Sequence, residues 1–251
     1  MKSLQQQTEN ALNASVFLGA DTTKPAVRQV FGVSGSGKTC WMRELILRAQ
    51  TSTAFGPKTR IVVFDVKHEG YGDLVELPVS NYSDFSKSIR ENRVTVIHPT
   101  IQGADEMLDD VIAELFDLAE TVEGFAATLV LEESSTFITT TVSGVPDSIK
   151  RMATQGRSRR LTLILLNQRA LNAKWVDTQT SSMTLFRLPH PDIDLIKKRW
   201  GVDPIALDER LKNHKFSFAH YDLESLELQY YLPITLTPTR TEPQETAQER
   251  L

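Results

Sequence analysis

A glycine-rich segment that ends in lysine and threonine is the part of the chain whose residue types most directly suggest chemistry. It follows the pattern Gly-x4-Gly-Lys-Thr, from Gly32 to Thr39. Glycines at this spacing let successive backbone N–H groups converge on phosphate oxygens, and the helix that follows adds the positive end of its dipole. The segment therefore predicts a binding site for a nucleoside triphosphate, lined by Gly32, Val33, Ser34, Gly35, Ser36, Gly37, Lys38, Thr39 and Cys40.

The last two residues of the pattern have separate predicted roles. Lys38 is expected to reach the β- and γ-phosphates, and the Thr39 hydroxyl is expected to be a ligand of Mg²⁺. ATP and Mg²⁺ are the predicted cofactors.

Two adjacent carboxylates directly follow the apolar run Thr128–Leu131. Beside a phosphate-binding loop, Glu132 is expected to hold Mg²⁺ and Glu133 to polarise the attacking water, so that binding leads to hydrolysis. Aspartate is more frequent than glutamate at the first position. The longer side chain leaves the division of labour between the two carboxylates open.

Polar side chains also follow the other predicted strands: Asp65 and Lys67, then His98, then Asn167 and Gln168. The carboxyl ends of parallel strands share one edge of a sheet, which is where ligands bind. Gln168 is predicted to sense the γ-phosphate and the attacking water, with a plain turn residue as the alternative. His98 is interpreted as a turn residue.

The elements that must position these residues are five short, near-continuously apolar runs separated by helical stretches. Such runs are typical of strands covered on both faces, and their alternation with helices predicts a parallel sheet. The clearest helix is Ala104–Ala119, with apolar residues at helical spacing. The predicted strands are Val27–Phe31, Ile61–Phe64, Val94–Ile97, Thr128–Leu131 and Leu161–Leu166.

The pattern changes after Leu166. A further strand is predicted, then a helix that Gly201 caps, then a hairpin at the edge of the sheet. These elements are Met183–Leu188, Pro191–Trp200, Phe216–His220 and Leu226–Leu232. Residues 27–234 are thus predicted to form one ATPase domain, 1–26 an N-terminal extension, and 235–251 a flexible or docking tail.

Composition narrows the function classes. The 251 residues are 40% hydrophobic, enough for one sizeable core. A single cysteine excludes a disulfide framework and a cysteine-based zinc site. No signal peptide is recognised, and no run reaches the ~20 apolar residues of a membrane span, so no direct membrane insertion is expected. The net charge of −4 argues against attraction of nucleic acid to the whole surface, although residues 150–160 are locally basic.

Taken together, several segments resemble the HerA/FtsK group of P-loop motors, which have a RecA-like α/β fold. The resemblance is strongest to the genome-packaging ATPases of tailless viruses with an internal membrane, of the tectivirus and corticovirus kind. It covers roughly residues 27–220. The segments are the phosphate-binding loop, Val62–Glu69, Phe186–Pro189 and, most discriminating after the loop, Gly156–Arg169.

The resemblance implies a homo-oligomeric ring, commonly a hexamer, with nucleotide between subunits and double-stranded DNA in the channel. An arginine from the neighbouring subunit would complete each site. Arg157 matches that position best, with Arg159 and Arg160 as rivals and solvated arginines at a helix end as the alternative. The resemblance also implies capsid or membrane-vertex proteins as partners, and the host cytoplasm or the virion as the location.

The hydroxyl-rich segment Ser134–Gly144, just past the two carboxylates, is a hypothetical pore loop that would contact DNA phosphates. An ordinary surface loop is the alternative.

Two other functions stay open: a small-molecule kinase, and an ATP-dependent assembly or secretion motor that does not act on DNA. A GTPase is disfavoured because no Asn-Lys-x-Asp motif follows the fifth strand. A transporter ATPase is disfavoured because its Leu-Ser-Gly-Gly-Gln signature is missing from the sequence.

Overall fold

The computed structural model describes residues 17–18, 27–170, 173–213 and 215–236. The strands are β1 Val27–Phe31, β2 Thr59–Phe64, β3 Val94–Ile97, β4 Ala126–Leu131, β5 Leu161–Asn167, β6 Thr180–Leu185, β7 Phe218–Asp222 and β8 Glu227–Tyr231. The helices are α1 Lys38–Thr51, α2 Tyr82–Glu91, α3 Ala104–Thr121, α4 Asp147–Gln155, α5 Lys174–Thr178, α6 His190–Trp200 and α7 Pro204–Asn213.

All eight strands belong to one sheet, in the order β3-β2-β4-β5-β1-β6-β7-β8. The first six strands in this order are parallel, and β7 and β8 run antiparallel as a hairpin at the edge. The predicted α/β architecture, with a mainly parallel sheet and an edge hairpin, is therefore confirmed. β1 lies between β5 and β6, so the loop that follows β1 leaves from the interior of the sheet.

Helices cover both faces of the sheet, and alternate residues of β2 show why this strand is apolar from Ile61 to Phe64. Val62 and Phe64 pack in the cluster that contains residues of α2, α3 and α4. Ile61 and Val63 pack in the cluster on the α1 side, around Trp41. A third cluster joins α6 and α7 to β6 and β7. No described helix combines the length and the apolar composition needed to cross a membrane.

The bounds of β6 differ from the prediction. The strand covers Thr180–Leu185, whereas the sequence predicts Met183–Leu188. Its first three residues are hydroxylic and did not look apolar, yet all are buried. The Thr180 hydroxyl donates to the Val176 carbonyl oxygen at 2.9 Å, and the Ser181 hydroxyl donates to that of Val27 at 3.0 Å. Hydrogen bonds to backbone carbonyl oxygens thus allow polar side chains in a buried strand.

The C-terminal elements follow the prediction more closely. Gly201 ends α6 in the left-handed conformation, with φ 71°, and its N–H donates to the Lys197 carbonyl oxygen at 2.8 Å, as expected of a glycine cap. The hairpin begins at Phe218, two residues later than predicted.

Within the predicted extension 1–26, the structure describes Phe17 and Leu18, and both are buried. The Phe17 ring contacts Trp41 edge-on, with centroids 5.3 Å apart. The predictions for the rest of this segment and for 237–251 lie outside the described residues.

Candidate active site

The phosphate-binding loop is fixed to both neighbouring strands of β1. The Gly32 N–H donates to the Asn167 carbonyl oxygen at 3.2 Å, at the end of β5, and the Val33 N–H donates to that of Arg187 at 2.9 Å, after β6. A Cβ atom on Gly32 would lie 2.6 Å from the Phe186 Cβ, so a side chain does not fit there. Gly37 has φ 101°, which favours glycine. The loop glycines are therefore required by close approach and by backbone conformation.

The start of α1 has the properties of an anion site. No side chain caps the helix, whose N-cap residue is Gly37. The buried Ser36 hydroxyl has no hydrogen-bond partner in the described part of the chain. Polar hydrogens at an uncapped helix start are suited to phosphate oxygens, so the loop fits a triphosphate.

Lys38 lies inside the loop. Its ammonium group donates to the carbonyl oxygens of Gly32 and, at 3.3 Å, Val33. Burial lowers the Lys38 pKa, and the nearby Glu132 and Glu133 carboxylates partly oppose that shift. Lys38 is positioned to exchange these carbonyl contacts for phosphate oxygens.

Glu132, directly after β4, is a buried carboxylate that accepts two side-chain hydrogen bonds. Its Oε1 accepts from the Thr39 hydroxyl at 3.4 Å, and its Oε2 accepts from the Tyr71 hydroxyl at 2.8 Å. Burial raises the pKa of Glu132, while the Tyr71 hydrogen bond opposes the shift. One hydroxyl and one carboxylate beside a phosphate site are a donor set that suits Mg²⁺, which retains several water ligands. Thr39 and Glu132 therefore fit the predicted metal role.

Tyr71 is held close to α1 by Gly70. Gly70 has φ 100°, and a Cβ atom there would lie 2.6 Å from the Thr39 Cγ2. The segment after β2 thus packs directly on Thr39, and Tyr71 itself is fully buried. Burial and the adjacent Glu132 carboxylate raise the Tyr71 pKa well above its usual value, so the phenol is the proton donor in this contact.

Glu133 is held between two strand ends. Its Oε1 accepts from the Gln168 side-chain amide at 2.8 Å and also pairs with the Lys67 ammonium. Its backbone is left-handed, with φ 49° and ψ 50°, a strained conformation for a glutamate and one that is frequent at active sites. The sheet therefore brings together Glu133 and Gln168, which the sequence places 35 residues apart.

These residues line one open cleft of about 450 Å³, large enough for the phosphates and part of a nucleoside. Cys40, which is exposed, and Phe216 also line it. The full lining is Ser34, Gly35, Ser36, Gly37, Lys38, Thr39, Cys40, Lys67, Glu69, Gly70, Glu132, Glu133, Gln168 and Phe216.

Two other polar strand ends lie beside this cleft rather than in it. Asp65 is fully buried, and its Oδ2 lies 3.6 Å from the His98 Nε2. The His98 ring stacks on His68 with centroids 4.6 Å apart. Burial raises the Asp65 pKa and lowers that of His98, with the two groups partly offsetting each other's shift.

Arg157 lies far from the cleft of its own chain. It begins a short 3-10 turn, Arg157–Arg159, directly before β5, whereas Gln168 follows β5. A seven-residue strand spans about 20 Å, so the turn is at the opposite, amino edge of the sheet. Arg157 is exposed, while Arg159 pairs with Glu120 at 2.7 Å. Arg157 can serve a cleft of this kind only in a second subunit.

The hypothetical pore loop is partly buried. Phe137 and Ile138 belong to the core, where the Phe137 ring contacts Phe64 edge-on. The loop closes through the Thr139 N–H, which donates to the Gly144 carbonyl oxygen at 3.0 Å. Where the structure describes exposure, the exposed residues of this segment are all hydroxylic: Ser135, Thr136, Thr139, Thr140, Thr141 and Ser143. Phe137 and Ile138 are thus unavailable to DNA, and the hydroxyls are accessible.

Lys67, Tyr71 and Phe216 contribute to the site although the sequence predicts no role in it for them. In the sequence Lys67 is a polar residue after the second predicted strand, and the structure pairs it with Glu133. The sequence gives no signal for Tyr71 beyond the glycine before it. The sequence places Phe216 in a predicted strand, and the antiparallel direction of β7 brings it to the phosphate-binding loop.

Comparison with solved structures shows the same fold elsewhere. The genome packaging NTPase B204 from Sulfolobus turreted icosahedral virus 2, in complex with AMPPCP, matches with a TM-score of 0.66 and 17% identity, over 86% of this chain and 100% of that one. The DNA-packaging ATPase B204 from Sulfolobus turreted icosahedral virus matches with a TM-score of 0.64 and 16% identity, over 85% and 100%.

A secretion protein shares the fold as well. The cytoplasmic domain of the Thermomonospora curvata Type VII secretion ATPase EccC matches with a TM-score of 0.56 and 14% identity, over 88% of this chain and 26% of that one. No protein-family model and no curated protein matches the sequence. At these identities the comparisons establish the fold, which is that of P-loop NTPases.

Proposed function

We propose that this protein is a Mg²⁺-dependent ATPase of the HerA/FtsK type that drives double-stranded DNA into a preformed viral capsid. The observation that carries the proposal is that Lys38, Thr39, Glu132, Glu133 and Gln168 line or border one cleft at the carboxyl edge of the sheet. The same fold occurs in genome packaging NTPases crystallised with nucleotide analogues, which supports the choice.

In the proposed reaction, water attacks the γ-phosphorus and the bond to the bridging oxygen of ADP breaks. The loop amides and Lys38 hold the phosphates, and Thr39 and Glu132 hold the metal. When bound, Mg²⁺ neutralises charge on the phosphate oxygens. Glu133 takes the proton of the attacking water, and Gln168 orients both Glu133 and that water.

The carboxylate of Glu133 must be released from Lys67 before it can act as a base. Lys67 pairs with Glu133 in the structure. When ATP occupies the cleft, the Lys67 ammonium can pair with the γ-phosphate instead. Exchange of Lys67 from Glu133 to phosphate would free the base only when ATP is in place.

The proposal includes a ring, expected to be a hexamer, in which Arg157 of one subunit enters the cleft of the next. An added guanidinium would stabilise charge on the transferred phosphoryl group. The exposed hydroxyls of Thr139–Thr141 are proposed to contact DNA. Capsid or membrane-vertex proteins are the proposed docking partners, in the host cytoplasm or the virion.

ATP hydrolysis by the purified protein, with and without double-stranded DNA, tests the proposal. We expect stimulation by DNA, and loss of turnover in Lys38→Ala. Glu133→Gln should bind ATP normally but hydrolyse it about 100-fold or more slowly. Phosphoryl transfer to a nucleoside monophosphate would instead indicate a kinase.

A DNA-independent secretion or assembly motor is the second candidate, because the fold is shared with the EccC ATPase. Hydrolysis that DNA does not change, together with unaltered activity when Thr139–Thr141 are replaced by alanines, would favour it over the packaging motor.

A further inference from the structure

Phe216 is an exposed aromatic residue at the rim of the nucleotide cleft. Its side chain is 45% exposed, whereas the nearby aromatic residues Trp41, Phe186 and Phe218 are buried and packed on one another. Its backbone is left-handed, with φ 68°. This conformation is unusual for a bulky residue, and a ring left exposed gains little from burial on folding. A strained backbone that holds an exposed ring at the rim of a cleft points to a role in ligand binding.

The strand order explains why Phe216 reaches this place. β7 is antiparallel to β6, so the residues before β7 lie at the same edge as the carboxyl ends of the parallel strands. There the ring packs over the phosphate-binding loop: a Cβ atom on Gly37 would lie 3.2 Å from the Phe216 Cδ1.

Phe216 and the two carboxylates lie on opposite sides of that loop. Glu132 and Glu133 follow β4, which is separated from β1 by β5, whereas Phe216 precedes β7, which is separated from β1 by β6. A triphosphate whose γ-phosphate meets Glu133 therefore extends toward the side of Phe216. The chemical group at that end of a nucleotide is the base.

We propose that Phe216 is the stacking platform for the purine base of the bound nucleotide. The inference rests on the proposed ATPase function and identifies the part of the site that binds the nucleoside. A phenyl ring offers a π-face and no hydrogen bonds, so it contributes affinity without discriminating between purines. The Lys215 ammonium lies 4.8 Å from the ring centroid, and stacking needs only one face of the ring.

Calorimetric titration with ATP and with inorganic tripolyphosphate separates the base from the phosphates. Phe216→Ala should weaken ATP binding roughly ten- to hundredfold and leave tripolyphosphate binding unchanged. Phe216→Trp should keep or increase the affinity for ATP. Leu226→Ala is the matched control, because Leu226 is also exposed and left-handed, with φ 57°, but lies in the β7–β8 turn at the far end of the hairpin. Circular dichroism of each variant monitors folding.

Each outcome decides between hypotheses. An equal loss for ATP and tripolyphosphate, or no loss for either, would overturn the stacking role while wild-type binding still supports the ATPase. Wild-type protein that binds neither ligand would refute both the stacking role and the proposed function.

Discussion

Tyr71 and Glu132 form a buried pair in which the phenol fixes one carboxylate oxygen and leaves the other facing Thr39. This arrangement accounts for a glutamate where aspartate is more usual. A glutamate side chain has one more rotatable bond than an aspartate side chain, and the hydrogen bond from Tyr71 restrains that extra rotation. Tyr71 thus positions the carboxylate that is proposed to hold Mg²⁺, and it is not itself proposed as a ligand.

Tyr71→Phe should therefore weaken Mg²⁺ binding in the complex with ATP. A buried hydrogen bond to a charged group contributes about 1.5–3 kcal/mol, so the Mg²⁺ concentration for half-maximal ATP binding should rise about tenfold or more. Affinity for ATP in EDTA should not change. Tyr82→Phe is the matched control, since the Tyr82 hydroxyl donates to Glu114 at 2.9 Å, away from the cleft. An identical Mg²⁺ response in both variants would rule out the positioning role.

Burial raises the pKa of Glu132, which makes its charged form unfavourable in the folded protein. The penalty is present above the raised folded-state pKa and absent below the unfolded-state pKa, where the carboxyl is protonated in both states. Glu132→Gln should then raise the thermal unfolding temperature by a few degrees at pH 8, and the gain should shrink as the pH falls. A gain that persists at low pH would contradict the assignment.

At the scale of elements, five of the parallel strands were predictable because each contains a short run rich in apolar residues. The ends of β1 and β3 match the prediction, and the polar residues after β4 and β5 do meet in one cleft. The start of β6 differs from the prediction because its hydroxylic side chains are buried through hydrogen bonds to the backbone, which a search for apolar runs does not detect. Tyr71 and Phe216 could not be found from periodicity, since each depends on a loop whose path is fixed by tertiary packing.

The loop after β2 shows how one element positions another. Gly70→Ala adds strain at φ 100° and a methyl group 2.6 Å from Thr39. It should lower Mg²⁺-ATP affinity at least tenfold, because Thr39 or the Tyr71 segment must move. Gly124→Ala is the control: its φ is 76° and nothing lies within 4 Å, so it should cost only about 1–2 kcal/mol of stability and leave binding intact. Equal ATP affinities in the two variants would disprove the close-packing explanation.

At the scale of the whole molecule, the cleft and Arg157 occupy opposite edges of the sheet. Mixing inactive Arg157→Ala subunits with inactive Glu133→Gln subunits should restore part of the ATPase activity, because some interfaces then combine an intact Arg157 with an intact Glu133. Recovery should be largest near equal proportions. Failure to recover at every ratio would exclude a site shared in this way.

The separation of Arg157 from its own cleft also bears on the symmetry of an assembly. A contact between the amino edge of one sheet and the carboxyl edge of the next joins unlike surfaces, so it is heterologous and excludes a two-fold axis through that contact. When this contact is repeated from subunit to subunit, the subunits form a closed ring if the rotation between neighbours adds up to a full turn, and an open filament if it does not. Such a ring has two chemically different faces, so a partner that recognises one face would impose a fixed direction on whatever passes through.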